Sequence, residues 1–301
     1  MRKLSRRAAS IALAAAMLCT TAGVSQKKVE AASTGKLSVT GYQDYSDAQK
    51  ILKEVNKYRK KNGRKALKMD RGLTNSAIMR GFETTIYIPE TSPHRRPNGK
   101  LSKSINKKII YENCAQSAGT TPKQIVKGWI NSSTHRKGLL LSNAKSVGVA
   151  AVTVVSRDGY EANTWVLDFS SSKAKKVEKS KARKQFTKNI VTKNSYLKKS
   201  YLKLDSRYGT IWETEKMQMK PTYQGKMMKE YGVYPTVINT SSFTSWKSSN
   251  PSVASVDSNG RITGNKAGTA TISAKLKTGT KITISKKIKV VPTNQQIDPW
   301  E

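Results

Sequence analysis

The sequence predicts an α+β domain followed by an all-β domain. Apolar side chains recur at helical spacing over residues 48–58, with Lys and Arg between them. Residues 147–155 are instead a continuous, β-branched apolar run, and residues 163–169 form a second strand pattern after a turn. From about residue 196, short apolar runs alternate with Gly, Asn, Pro and Ser at close, even spacing, which is typical of a β-sandwich.

Residues 1–31 have the pattern of a secretory signal peptide. Four basic residues precede an uncharged run whose apolar centre, residues 8–18, is shorter than the roughly 20 residues that span a membrane. We place cleavage after Ala31; an uncleaved anchor is the alternative. The mature chain then keeps Cys114 as its only cysteine and has no transmembrane segment. We therefore expect a secreted, extracellular protein, either free or non-covalently associated with the cell wall.

Residues 46–170 predict helices first and a closing hairpin. A capping box at residues 46–49 starts the first helix, and Asn62-Gly63 ends it. A second helix is predicted over residues 72–83, and a third begins at Thr121-Pro122, with Gln124 completing its capping box. This order favours an α+β layered domain over a doubly wound sheet.

Charge separates the parts of the chain. The 301 residues contain 56 Lys and Arg against 19 Asp and Glu, a net charge of +37, and removal of the signal peptide (+5) leaves +32. Residues 171–203 hold twelve basic residues and one acid, Glu178, so we interpret residues 171–195 as an extended basic linker. For an exported protein, we expect anionic cell-wall polymers or host glycans and lipids as partners rather than nucleic acid. A solvated surface that serves solubility is the alternative.

Two histidines and one carboxylate are the candidate reactive groups. His94 and His135 lie in polar, Arg-containing loops, and Glu112 follows an apolar pair between them. Two His exclude a three-imidazole site, and two Cys exclude a Cys-rich zinc site. Two imidazoles and a carboxylate can hold a divalent transition metal or act as general acid and base. Their spacing alone does not bring them together.

The ordered motifs of residues 46–170 resemble the CAP superfamily, which comprises cysteine-rich secretory, antigen 5 and pathogenesis-related proteins, and in particular its bacterial secreted branch. The motifs are VNKYR at residues 55–59, HRRPNG at 94–99, Glu112-Asn113, WINS with His135-Arg136 from residue 129, GVA at 148–150, and WVLDF at 165–169.

The resemblance implies an α-β-α sandwich with a surface cleft, in which two His and two acidic residues can bind a divalent cation such as Zn²⁺. Carried over by position, His94, Glu112 and His135 are three of these metal ligands. For the fourth place, the stretch after His94 offers Asn98 and no carboxylate, while Glu83 matches an acidic position of bacterial relatives. Pro93 stands where relatives usually have Ser. Cys114 replaces an aliphatic residue, so we expect it to be packing rather than a nucleophile.

Residues 196–292 look like a bacterial Ig-like domain of group 2. The resemblance rests on the run WKSSNPSVASVD from Trp246 and the run AGTATI from Ala267. Such modules act as spacers or binding units, and we assign it no catalytic residues. Trp300 in the tail has no evident core to join.

The sequence therefore predicts a secreted or cell-surface bacterial CAP-domain protein that binds the envelope or a host surface. No protease signature is present, and the residues favour binding over catalysis without deciding between them. One alternative is a metal-assisted hydrolase that uses His94, Glu112 and His135. Another is a lipid- or sterol-binding protein, as some CAP relatives are.

Overall fold

The computed structural model describes residues 34–87, 94–117, 119–156, 159, 161–205, 209–278 and 280–293. The helices are α1 (Tyr45–Lys61), α2 (Arg71–Thr84), α3 (Pro122–Asn131), α4 (Ser133–Leu139) and α5 (Lys226–Glu230). The strands are β1 (Thr34–Asp44), β2 (Lys68–Met69), β3 (Tyr111–Ser117), β4 (Ser146–Val155), β5 (Glu161–Ser170), β6 (Arg183–Lys193), β7 (Leu202–Asp205), β8 (Thr210–Trp212), β9 (Lys216–Gln218), β10 (Lys220–Tyr223), β11 (Thr236–Val237), β12 (Phe243–Ser248), β13 (Ala254–Val256), β14 (Arg261–Gly264), β15 (Gly268–Leu276) and β16 (Thr283–Val291). The predicted signal peptide, Pro93 and Trp300 lie outside the described residues.

Local capping signals fix most helix starts. The Thr121 side chain accepts from the Gln124 backbone, and the Gln124 side chain accepts from the Thr121 backbone, so the predicted capping box of α3 is confirmed. The predicted box at residues 46–49 is wrong, because α1 begins two residues earlier than a Ser46 N-cap implies and its N-cap is Asp44, whose Oδ1 accepts from Asp47 N at 2.9 Å. A carboxylate at this position also interacts favourably with the helix dipole.

The first domain has three layers. Its sheet has the order β3-β5-β4-β1-β6, all neighbours antiparallel, and the short β2 adds to β4 in parallel. Helix α2 packs on one face through Ile78 and Phe82. Helices α1 and α3 pack on the other face, through Ile51 and Trp129. This arrangement confirms the predicted α-β-α sandwich.

Gly148 of β4 lets helix α2 approach the sheet closely. A Cβ atom at this position would overlap the backbone of Leu73, at the start of the helix. Only glycine leaves that space free. The close approach holds α2 against the centre of the sheet, and the last turns of the helix carry the charged side chains Arg80 and Glu83 described below.

Residues 183–193 correct the linker prediction, because they form β6 and not a free linker. The strand pairs with β1 over the whole length of both, from Thr34 opposite Lys193 to Asp44 opposite Arg183. High charge does not prevent this, since alternate residues of a strand point to opposite sides. Ile190 is fully buried, while Arg183 and Lys184 stay exposed. The domain boundaries drawn from the sequence stay predictions.

The second domain is formed almost entirely of short antiparallel strands. Its largest sheet has the order β12-β15-β16-β8, and two three-stranded sheets, β11-β10-β7 and β13-β14-β9, complete it. Strand β8 pairs with β16 in parallel, and α5 is a single short helix. The all-β prediction for this region is thus confirmed. Every helix in the described part of the chain is too short or too polar to cross a membrane.

Strand β1 joins the two domains. It pairs with β4 at Tyr42 and Gln43, and its other end contacts the second domain. There Ser38 N donates to Ser242 Oγ at 2.8 Å, and the Ser38 carbonyl accepts from Asn239 N at 2.8 Å. One hydrophobic cluster continues from α2, through Leu37 of β1, into the second domain. The β1–β6 pair therefore belongs to both cores.

We expect Ile190→Ala to lower the free energy of unfolding by about 2–5 kcal/mol, because it leaves a cavity in this shared core. Gln185→Ala, on the exposed part of the same strand, is the matched control and should change it by less than about 0.5 kcal/mol. Urea unfolding of both variants checks the prediction. Equal, small losses would mean that residues 183–193 do not pack as a strand.

Candidate functional site

A chain of charged side chains links α2, the loop after it and the edge strand β3. Arg80 and Glu83 are three residues apart in α2, so they share one face of the helix. Glu112 lies on β3, and His94 and Arg96 lie in the loop. Arg80, Glu83 and Glu112 are buried. Their charges must therefore be balanced within the protein.

The contacts run from one end of this charged chain to the other without a gap. Arg96 Nη2 lies 2.7 Å from Glu83 Oε1, and Arg80 Nη1 lies 2.8 Å from Glu83 Oε2. Arg80 Nε lies 2.8 Å from Glu112 Oε2, and His94 Nδ1 lies 3.0 Å from Glu112 Oε1. Each buried carboxylate thus has two basic partners. Such pairs stabilise only when every partner is present.

The protonation of the pair at the centre follows from these contacts. Burial lowers the pKa of Arg80, but Glu112 and Glu83 raise it by more, so its guanidinium stays charged. Burial raises the pKa of Glu112, but its hydrogen bonds with His94 and Arg80 lower it by more. Glu112 is therefore an anion at neutral pH. The accessible end of the charged chain is His94, whose side chain is 33% exposed.

His135 lies at the outer edge of β3, in helix α4. Its Nδ1 is 2.9 Å from Ser132 Oγ, and its backbone carbonyl accepts from Asn113 Nδ2 at 2.9 Å. Burial lowers the pKa of the ring, the positive field of His94 lowers it further, and a hydrogen bond with the Cys114 backbone opposes both. His135 is thus a neutral imidazole near neutral pH, held by hydrogen bonds beside the strand that carries Glu112.

The structure brings two of the three predicted metal ligands into contact. Over the described residues, His94, Glu112 and Cys114 form a group of possible ligand atoms that all lie within 4.8 Å of one another. His135 is not part of that group. A cation between His94 and Glu112 would replace their hydrogen bond, and Arg80 would still hold the second Glu112 oxygen. Nitrogen, carboxylate oxygen and sulfur together suit Zn²⁺.

The other candidates from the sequence have structural partners. Glu83 is buried and held by Arg80 and Arg96, which leaves it no open side for a cation. Asn98 Oδ1 accepts from Lys100 N at 3.0 Å and so shapes its own loop. Burial raises the pKa of the Cys114 thiol to about 12. Since the thiolate is the nucleophilic form, this supports packing over catalysis for Cys114.

Asp168 is a buried carboxyl group to which the sequence gave no role. It lies directly opposite Glu112 in the pairing of β5 with β3, so both side chains lie on the α2 side of the sheet. It is fully buried, and neither carboxylate oxygen has a hydrogen-bond partner. Burial raises its pKa well above the usual value, and Glu112 raises it further. The sequence signal that could have identified Asp168 is the presence of an acidic residue inside an apolar strand.

We expect Asp168→Asn to stabilise the protein at neutral pH. Because the folded state holds the Asp168 proton more tightly, stability falls as pH rises from the unfolded-state pKa, about 3.9, toward the raised folded-state value. The Asp168→Asn variant has no carboxyl group at this position, so this loss of stability with rising pH does not occur in it. At pH 7 it should be more stable by roughly 1–3 kcal/mol, and the gain should shrink toward pH 4, as measured by thermal unfolding.

Glu161→Gln is the matched control, because Glu161 is an exposed carboxylate of the same strand, paired with Arg183 at 2.7 Å. It should change stability by less than about 0.5 kcal/mol. A loss of stability in Asp168→Asn at pH 7 would contradict the prediction and show that Arg80 holds Asp168 as a stabilising anion.

Comparison with known proteins assigns both domains. Residues 52–169 match the sequence profile of the Cysteine-rich secretory protein family, CAP, and residues 224–288 match that of the Bacterial Ig-like domain (group 2). The chain therefore contains one region similar to the CAP family, followed by one similar to the group-2 bacterial Ig-like domain. Both resemblances predicted from the sequence motifs are confirmed.

Individual relatives cover parts of the chain. The Uncharacterized protein YkwD of Bacillus subtilis (strain 168) is 31% identical over 130 residues, which is 42% of this chain and 48% of YkwD. The chain thus spans about half the length of that relative. An extracellular protein containing a SCP domain from Bacillus anthracis str. Ames is 19% identical over 42% of this chain and 41% of its own, with a TM-score of 0.32. A cysteine-rich secretory protein from Staphylococcus aureus subsp. aureus Mu50 is 21% identical over 43% and 39%, with a TM-score of 0.29.

Proposed function

We propose that this protein is secreted or displayed on the bacterial surface and binds anionic polymers, glycans or lipids of the envelope or of a host. In this proposal the cleft also takes up a divalent cation such as Zn²⁺, with His94, Glu112 and His135 as ligands. Binding, rather than catalysis, is the main activity.

The observation that carries the proposal is the unbalanced charge of residues 173–184. All seven Lys and Arg of this segment are exposed. Its single acid, Glu178, is buried, and its Oε2 lies 2.9 Å from Arg71 Nε. Arg183 is paired with the exposed Glu161 at 2.7 Å, and the six lysines give the segment a net positive charge at the surface. Exposed like charges of this density attract polyanions over about a Debye length.

The contact between His94 and Glu112 supports the cation part of the proposal. His94 is accessible, Glu112 is ionised, and the two possible ligand atoms are 3.0 Å apart. The field of His94 at the His135 ring indicates that the second imidazole is near. The same three groups favour a metal-assisted hydrolase as the second candidate function, with His94 as the exposed acid or base.

Salt should release the protein from isolated cell walls or heparin. At about 0.5 M NaCl the Debye length falls to roughly 4 Å, so attraction by residues 173–184 is screened. We expect a variant with Lys173, Lys175, Lys176 and Lys179 changed to Gln to elute at clearly lower salt than wild type, on a heparin column and from walls.

The matched control changes four exposed lysines of α1 and α3 to Gln, namely Lys53, Lys57, Lys123 and Lys127. It removes the same net charge and should elute close to wild type. Retention of wild type above this salt concentration, or equal shifts in both variants, would contradict binding through residues 173–184.

Isothermal titration with Zn²⁺ tests the cleft. We expect His94→Ala and His135→Ala each to weaken binding at least about tenfold, since each removes one ligand. Glu161→Gln, which removes an exposed carboxylate away from the cleft, should leave it unchanged.

The set of variants that lose Zn²⁺ binding identifies the ligands. Loss in His94→Ala and Cys114→Ser, with His135→Ala unchanged, would replace His135 by the thiol in the ligand set. Unchanged binding in all three variants would refute a cation in this cleft.

A further inference from the structure

The Ig-like domain has one sheet face on which lysines and hydroxyl groups alternate. On β15 and β16, the residues opposite one another on the solvent side are Thr269 with Lys289, Thr271 with Lys287, and Lys275 with Thr283. All six are exposed. The alternate residues Ala270, Ile272 and Ile288 are buried and belong to the core. We call the solvent side of β12, β15 and β16 the outer face.

Acidic residues are absent from the outer face. Residues 204–293 contain five acids among those described, and none of them lies on β12, β15 or β16. They are Asp205 on β7, Glu213 and Glu215 after β8, Glu230 on α5, and Asp257 after β13. Four lysines lie on the outer face: Lys247 of β12, opposite Ser273, together with Lys275, Lys287 and Lys289. Among the described residues, the outer face therefore carries lysines and no acidic side chain.

The spacing of these groups follows from strand geometry. Lys287 and Lys289 are two residues apart on one strand, which places them roughly 6.6–6.8 Å from each other along it. Neighbouring strands lie about 4.8 Å apart, so each ammonium has a hydroxyl on the next strand beside it. This is a flat, repeating array and not a pocket. It suits a linear polymer rather than a small molecule.

We infer that the outer face binds a poly(glycerol phosphate)-type polymer of the bacterial cell wall. Every repeat of such a polymer offers one phosphate for an ammonium and free oxygens for hydroxyl hydrogen bonds, which is the pattern of Lys and Thr on β15 and β16. These two strands present no aromatic ring on which a pyranose could stack. The inference rests on the proposed function and locates a second anionic-polymer contact, apart from residues 173–184.

The test measures binding of the full mature chain to immobilised poly(glycerol phosphate) in 0.15 M NaCl. The outer-face variant changes Lys247, Lys275, Lys287 and Lys289 to Gln. Because fewer counterions are released, we expect its Kd to rise about tenfold and the salt dependence of binding to become less steep. The variant with Lys53, Lys57, Lys123 and Lys127 changed to Gln removes equal charge and should change Kd by less than about twofold.

A second variant separates hydroxyl contacts from charge. Thr269→Val combined with Thr271→Val keeps every lysine and suits a strand, and we expect a Kd several-fold higher with unchanged salt dependence. Thermal unfolding of each variant should match wild type, since all the changed side chains are exposed.

The outcomes distinguish this inference from the proposed function. Equal losses in the outer-face and control variants would overturn the outer face but leave anionic-polymer binding intact. Tight binding to heparin through the outer face, with none to poly(glycerol phosphate), would overturn the choice of polymer. No binding of wild type to poly(glycerol phosphate), heparin or isolated walls would refute the proposed function itself.

Discussion

The buried guanidinium of Arg80 is the group on which the chain of charged contacts in the candidate site depends. It lies between two buried carboxylates, and each of them has a second partner in the loop, Arg96 for Glu83 and His94 for Glu112. An unpaired buried charge costs about 3–5 kcal/mol, so all these groups must be in place together. The loop that carries His94 is therefore fixed by ion pairs that start in α2. These ion pairs explain how His94, a loop residue, is held beside Glu112 on the edge strand β3.

The β1–β6 strand pair connects the first domain to the second. Its outer strand follows the CAP-matched region in sequence, and its inner strand precedes that region. Because Leu37 and Ile190 belong to a cluster that continues into the Ig-like domain, the two cores share apolar surface. Hydrogen bonds of the Ser38 backbone with Ser242 and Asn239 also hold β1 against the second domain. The Ig-like domain is thus joined to the CAP domain by packing as well as by the chain, which differs from a module on a flexible stalk.

Local sequence signals predicted helices α1, α2 and α3, the β4–β5 hairpin and the all-β region, because periodicity and capping act over a few residues. They missed α4, so His135 lies in a helix and not in the predicted loop. Strand β6 was missed because its lysines outnumber its apolar residues, and only its pairing with β1 reveals that Ile190 is buried. The same holds for the candidate site. The motifs identified His94 and Glu112, whereas the roles of Arg80 and Asp168 depend on partners on other elements, and the only local signal for Asp168 is its position inside an apolar strand. His135 was identified as well, but whether it is a ligand depends on distances that no motif contains.

Charge balance distinguishes the charged chain around Arg80 from the two exposed basic surfaces. The charged chain of the cleft has two carboxylates, Glu83 and Glu112, and two guanidinium groups, so it carries no net negative charge before a cation arrives. Asp168 adds none while its raised pKa keeps it protonated. Long-range attraction for a dication is therefore weak there, and affinity has to come from direct ligand bonds at His94 and Glu112. Residues 173–184 and the outer face have the opposite property, because their lysines are exposed and give both surfaces a net positive charge, and, among the described residues, only Arg183 of the segment is ion-paired with an exposed acid, Glu161. For the proposed function, electrostatics therefore favour the exterior as the main binding surface, with His94 and Glu112 as a short-range site.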